Sequence, residues 1–204
     1  MLIYGAPYPA PNPRRVRMYL AEKGLSPPYT DVDMLARGHK APDFVAKNSL
    51  GQVPTLVLDD GTAISESVAI CRYFEALHPD PPLFGTTPLE QASIEMWMRR
   101  IELQLMQPIG LFWVNAHPLT AGLSAQKHKD FGEAQKRRAL DRMRWLDREI
   151  AGREFVAGAA FSMADIIAES AIDFAKFVGI PLPEDVPALA AWRARMKQRP
   201  SFRA

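Results

Sequence analysis

The sequence predicts a small α/β domain followed by a larger all-α domain, and three observations carry that reading. Strand-like and helix-like runs alternate from the start of the chain to residue 78. The stretch "HPDPPLFGTTP" (78–88) then sets four prolines and a glycine in eleven residues, a linker composition. Beyond it the apolar residues recur only at helical spacing. The domains are drawn at 1–79 and 88–204, with 80–87 as the linker.

Each element has its own signal. "LIYG" is a short apolar strand ended by Gly5 and prolines. Val16, Met18, Tyr19 and Leu20 suit a helix over 13–23, with Asn12 as a possible N-cap and Gly24 as its stop. Tyr29 to Val32 reads as a second strand, which completes a βαβ unit, and "APDFVAKN" (41–48) as a short helix with Pro42 in its first turn. "PTLVLDD", a turn at Gly61 and "TAIS" form a hairpin. The helix from Ser65 to His78 puts Ile70, Tyr73, Phe74 and Leu77 on one face. After the linker come a run through Ile94, Trp97, Met98, Ile101 and Leu105, which Pro108 should kink or end, a helix marked by Ala139, Met143, Leu146 and Ile150, another marked by Ile167, Ala171, Phe174 and Val178, and a shorter one marked by Leu189, Trp192 and Met196.

Composition narrows the class. With 48% hydrophobic and 24% charged residues, 204 residues can bury a substantial core. A net charge of +2 with interspersed signs gives no footprint for nucleic acid or an anionic membrane. No apolar run approaches the roughly 18 residues of a membrane span, and the N-terminus lacks a secretory pattern. Cys71 is the single cysteine, so no internal disulfide forms and no Cys/His zinc cluster is expected. The expected compartment is the cytoplasm, and no metal is expected.

The densest chemistry lies in "GQVPTLVLDDGTAISES" (51–67). Pro54 at the mouth of an apolar strand reads as a proline starting an edge strand. Ser65 reads as a helix N-cap with Glu66 in the first turn, which leaves the hydroxyl and N–H of Ser67 for an anion. "FSMAD" supplies Ser162 as N-cap and Asp165 as the Asp form of a capping box, with Phe161 able to staple to Ile166.

Three stretches in order resemble one family. "NSLGQVPTLVLDDGTAISESVAICRYFE" (48–75) looks like the core of the glutathione-transferase N-terminal domain, "RRVRMYLAEKGL" (14–25) is similar to its first helix, and "FVAGAAFSMADIIAESAI" (155–172) to its C-terminal signature. The resemblance is to the cytosolic type of a bacterial-like class. It implies a thioredoxin-like N-terminal domain with a C-terminal helical bundle. It also implies a cis Val53–Pro54 bond that frees the Val53 backbone to pair with glutathione as with an added strand. Glu66 and Ser67 then hold the γ-glutamyl end, while His39, Lys40 and Gln52 meet the glycyl carboxylate.

The reaction implied is conjugation of the glutathione thiolate, as co-substrate, to a hydrophobic electrophile. Alternatives are glutathione-dependent peroxide reduction and a non-catalytic glutathione-binding or stress-interaction protein. The family sets a Tyr, Ser or Cys near the start of the first helix to stabilise the thiolate. This sequence departs from that pattern, because Ala10 stands there. Asn12 is the first substitute, with Arg14 or Arg15 adding positive potential, then Tyr8, then Tyr4. Met106, Phe112, Trp113 and His117 are the expected electrophile contacts, Cys71 is expected to be a small buried hydrophobe, and a homodimer is the expected assembly.

Overall fold

The computed structural model of the protein describes residues 1–120 and 128–204. They form two compact units, residues 1–83 with 200–204, and residues 84–199.

In the first unit, β1 (Leu2–Gly5) leads into α1 (Pro11–Lys23) and then β2 (Tyr29–Asp31), which pairs with β1 in parallel. A 3₁₀ turn at Gly38–Lys40 and the short α2 (Pro42–Val45) lead to the hairpin of β3 (Thr55–Val57) and β4 (Ala63–Ser65). β3 runs antiparallel to both β1 and β4, so the sheet order is β2-β1-β3-β4. α3 (Ser67–Leu77) closes the unit. Ile3 and Leu56 of the sheet are buried with Val16 and Leu20 of α1 and with Ile70 and Phe74 of α3. This mixed four-stranded sheet with its helices is the thioredoxin-like arrangement that the sequence leads one to expect.

Helix starts differ from the sequence reading in two places. α1 begins at Pro11, not Pro13, and its N-cap is Ala10, which has no side-chain capping bond; Asn12 is an exposed first-turn residue rather than the cap. Pro11 and Pro13 carry no N–H, so two of the amides that a cap would satisfy do not exist. The N-cap of α3 is Glu66, not Ser65: Ser65 still pairs with Thr55 at the end of β4. Glu66 makes the turn at φ 68°, ψ 120°, outside the ordinary range of a residue with a Cβ.

The proline-rich linker is fastened at its N-terminal part. The buried Lys23 ammonium donates to the carbonyls of His78 (2.8 Å), Pro79 (3.2 Å) and Pro81 (2.6 Å), and it pairs with Glu75 at 2.6 Å. Glu75 also accepts from the Tyr19 hydroxyl at 2.6 Å and the Leu83 N–H at 2.8 Å.

The second unit opens with α4 (Pro88–Ile101), started by a capping box between Thr87 and Glu90. The run does not end at Pro108. A π turn over Glu102–Met106 joins α4 to α5 (Gln107–Asn115), and Gln107 N–H reaches back to the Glu102 carbonyl. In an α-helix the Pro108 ring would collide with the Gln104 carbonyl; the π turn contains Gln104 and re-spaces that carbonyl. α6 (Lys129–Ile150), α7 (Met163–Phe177) and α8 (Pro187–Met196) follow. α7 is buried along nearly its whole length, the pattern of a central helix. Its N-cap is Ser162 as expected, and the Asp165 carboxylate accepts from Ser162 N–H and hydroxyl, Val156 N–H and Trp192 Nε1. Phe161 packs edge-on to Phe155, under Arg199.

Candidate active site

The hairpin and the start of α3 bring the principal peptide-binding candidates together. The Thr55↔Ser65 pair is the last rung of the β3–β4 ladder, two residues from Val53 along one arm of the hairpin and two from Ser67 along the other. The Val53–Pro54 bond is cis. Val53 is half-buried, Glu66 is exposed, and Ser67 is buried as the first helical residue of α3. Because the chain turns at Glu66 rather than capping with Ser65, Ser67 sits in the first turn with its amide directed out of the helix start.

Asn48, which sequence reasoning passed over, fixes the loop that carries Val53. Its buried amide donates to the Gln52 carbonyl (2.8 Å) and Thr55 Oγ1 (3.1 Å), while its side-chain oxygen accepts from Leu50 N–H at 3.1 Å. The signal was an Asn three residues before a Gly in "NSLG", a turn pattern whose side chain satisfies neighbouring backbone groups.

The 3₁₀ turn of "GHK" comes up against the same loop. Lys40 Nζ donates to the carbonyls of Leu50 and Gly51, both at 2.9 Å. Two of its three protons are therefore spent on holding the loop, and one is left for an anion. Burial, then the charges of Lys40 and Arg37, hold the His39 imidazole below the usual histidine range, which favours the neutral donor over the cation. Its Nδ1 is buried without a hydrogen-bond partner among the described residues. Gln52 is exposed on the same loop.

At the start of α1, Tyr8 is 56% exposed and Ala10 takes no polar role. Among residues 11 to 13 only Asn12 has an N–H, and it offers a side-chain amide as well. Tyr4 is a packing residue, edge-on to Phe44 at 5.9 Å with Lys47 over its ring. Arg14 is buried and committed to the C-terminal segment, donating to the Phe202 carbonyl at 3.0 Å and lying over the Phe202 ring. Arg15 is buried close enough to lower the Cys71 thiol, but burial outweighs it and pushes that thiol up, so Cys71 stays protonated and inert.

The second unit gathers the apolar candidates. Trp113 lies 4.7 Å from the His117 ring, 5.7 Å from Phe174 and 5.9 Å from Phe177, and Phe112 meets His117 at 5.9 Å. Leu119 N–H donates to His117 Nδ1 at 3.3 Å, which leaves Nε2 to carry the imidazole proton. Phe174, read from sequence only as helix packing, and Phe177, which sequence reasoning passed over, belong to this cluster. Met106 is half-buried at the end of the π turn. Among the described residues there is no group of three or more His, Cys, Asp or Glu able to hold a metal ion, and no helix is long and apolar enough to cross a membrane.

The whole chain has close relatives. The family models for the glutathione S-transferase N-terminal and C-terminal domains match residues 10–77 and 105–200. Glutathione S-transferase 2 of Saccharomyces cerevisiae is 42% identical over 206 residues, covering 100% of this chain and 88% of that protein. The crystal structure of Gtt2 from Saccharomyces cerevisiae superposes with a TM-score of 0.93 at 41% identity, over 100% of this chain and 99% of that one. A glutathione S-transferase domain-containing protein of Marinobacter aquaeolei also superposes with a TM-score of 0.93, at 39% identity, over 99% of this chain and 100% of that one. The chain belongs to the glutathione S-transferase family, a family that uses glutathione as substrate, and it is a transferase enzyme.

Proposed function

We propose that the protein conjugates the glutathione thiolate to hydrophobic electrophiles, with Asn12 holding the thiolate. The observation that carries this is the first turn of α1, where Asn12, exposed between two prolines, brings a side-chain amide as well as an N–H to the helix start. Lowering a thiol from about 8.5 to neutrality takes about 2–3 kcal/mol. A hydrogen bond to a charged group contributes about 1.5–3 kcal/mol, and a helix N-terminus about 0.3–1 kcal/mol more. The two together suffice without the hydroxyl that Ala10 lacks. The thiol proton passes to solvent, and the sulfur lone pair forms the bond to the electrophilic carbon as its leaving group departs with the bonding electrons.

In this reading glutathione lies along Val53 as an added strand beside the cis Pro54. Glu66 and Ser67 take the ammonium and carboxylate of its γ-glutamyl end. Lys40 supplies the charge for the glycyl carboxylate, with Gln52 and neutral His39 as hydrogen-bonding partners. Phe112, Trp113, His117 and Met106 give the electrophile an apolar surface. The protein is proposed to act in the cytoplasm as a homodimer. An exposed stripe of Leu89, Met96 and Leu103 at heptad spacing supports an apolar interface with a second copy.

The test is a pair of variants assayed with aryl halides and organic hydroperoxides. Asn12→Ala should slow conjugation about tenfold, the worth of one hydrogen bond to a charged group. Tyr8→Phe should leave the rate and the thiol ionisation unchanged. The reverse pattern transfers the role to Tyr8, and turnover of hydroperoxides alone replaces conjugation by peroxide reduction.

A further inference from the structure

The β1–α1 loop, Ala6 to Ala10, delivers the start of α1. Pro7 and Pro9 carry no N–H, and Ala10 N–H donates to the Pro7 carbonyl at 3.1 Å across its second half. Its first residue, Ala6, is fully buried. The Ala6 carbonyl accepts from Arg17 Nη1 at 2.7 Å, and the same nitrogen lies 3.1 Å from the Tyr29 hydroxyl. Arg17 stands in the second turn of α1, the helix whose start the loop delivers. The guanidinium thus ties the entrance of the loop to the body of the helix at its exit.

A second observation shows how closely this corner is built. A Cβ on Gly5 would lie 1.8 Å from the Tyr29 hydroxyl oxygen and 2.3 Å from its Cζ. Tyr29 therefore occupies the space left by the missing side chain at the end of β1, with its ring under the Arg17 guanidinium. Burial pushes the phenol up, so the hydroxyl remains protonated.

We propose that Arg17 is a positioning residue for the thiolate: by bridging the Ala6 carbonyl and the Tyr29 hydroxyl it fixes the β1–α1 loop, and so the place of Ala10 and Asn12 at the reacting sulfur. The proposal rests on the reading that the sulfur lies at the start of α1. Arg17 does not touch glutathione in it, and a displacement of about 1 Å at the helix start is enough to cost about a hundredfold in rate. A guanidinium can serve two acceptors from a fixed plane, whereas a lysine brings the same charge without that geometry.

The test compares Arg17→Met, Arg17→Lys and Tyr29→Phe by three readouts: the pH profile of kcat/KM, the thiolate absorbance of bound glutathione, and affinity for S-methylglutathione, which has no thiol. The proposal expects Arg17→Met to raise the bound-thiol pKa by about one unit or more and to lower kcat about tenfold or more, while S-methylglutathione affinity holds within about threefold. It expects Arg17→Lys not to restore the rate, and Tyr29→Phe to shift the profile in the same direction by less. An unchanged thiol ionisation in Arg17→Met overturns it, as does full rescue by Arg17→Lys, which would make the effect one of charge alone. If Arg17→Met does not fold, Tyr29→Phe decides: an unchanged profile there overturns the proposal. Failure of the underlying reading looks different, because the wild type itself would then hold bound glutathione at the pKa of the free thiol.

Discussion

Ser67 is 5% exposed, and its hydroxyl enters no side-chain hydrogen bond among the described residues. Since Glu66 is the N-cap, Ser67 is not needed to start α3. Ser67→Ala should therefore weaken glutathione binding about tenfold or more, the loss of a hydrogen bond to a carboxylate, with little change in unfolding temperature. Titration calorimetry and thermal melts separate the two effects. Gly51 shows the converse case, a residue required by the backbone. Its φ is 55°, and a Cβ there would meet the His39 carbonyl oxygen at 2.6 Å and Lys40 Nζ at 3.1 Å. Gly51→Ala should cost about 1–3 kcal/mol in denaturant unfolding and lower glutathione affinity by dislodging Lys40. The turn glycine was legible in "NSLGQVP"; the nearness of His39 and Lys40, twelve and eleven residues earlier, was not.

Among the elements, the linker and the start of α7 are each held by a buried ionisable group. Lys23 has a side chain with 0% exposure and bonds to three carbonyls and Glu75. Lys23→Met should destabilise the protein by about 1–3 kcal/mol, because the carbonyls of His78, Pro79 and Pro81 and the Glu75 carboxylate lose that donor. Urea unfolding measures it. At α7, burial pushes the Asp165 carboxyl up to about 6, against the four donors that favour its anion. A folded pKa above the unfolded 3.8 means that the folded chain holds the proton more tightly, so this group's contribution to stability is full below about pH 4 and is lost as pH rises through about 6. A displacement of that size corresponds to about 3 kcal/mol. Asp165→Asn removes the titration, so the stability difference between wild type and variant should move by about that amount from pH 4 to pH 7, in favour of the variant at the higher pH. The box itself was readable from "FSMAD", since its partners are three residues apart. Its fourth donor, Trp192, lies 27 residues away and needed the fold.

For the whole molecule, the proposed homodimer has a direct check. Leu89 is 80% exposed, Met96 41% and Leu103 51%, all on the run from α4 into the π turn. Leu89→Lys combined with Met96→Lys should shift sedimentation toward the monomer, because burying a charge in an apolar interface without a partner is unfavourable. A wild type that sediments as a monomer would end the dimer proposal. By itself the sequence determined the order of strands and helices, the βαβ unit, the hairpin, the helical second half and the likeness to the glutathione transferases. Those follow from local periodicity, turn residues and motifs contiguous in the chain. The tertiary structure alone decided where α1 and α3 begin, that the chain runs through Pro108, that Lys23 fastens the linker, and that Arg17 meets Ala6 and Tyr29. A side chain's partner depends on which distant backbone group is left unsatisfied beside it, and only folding sets that.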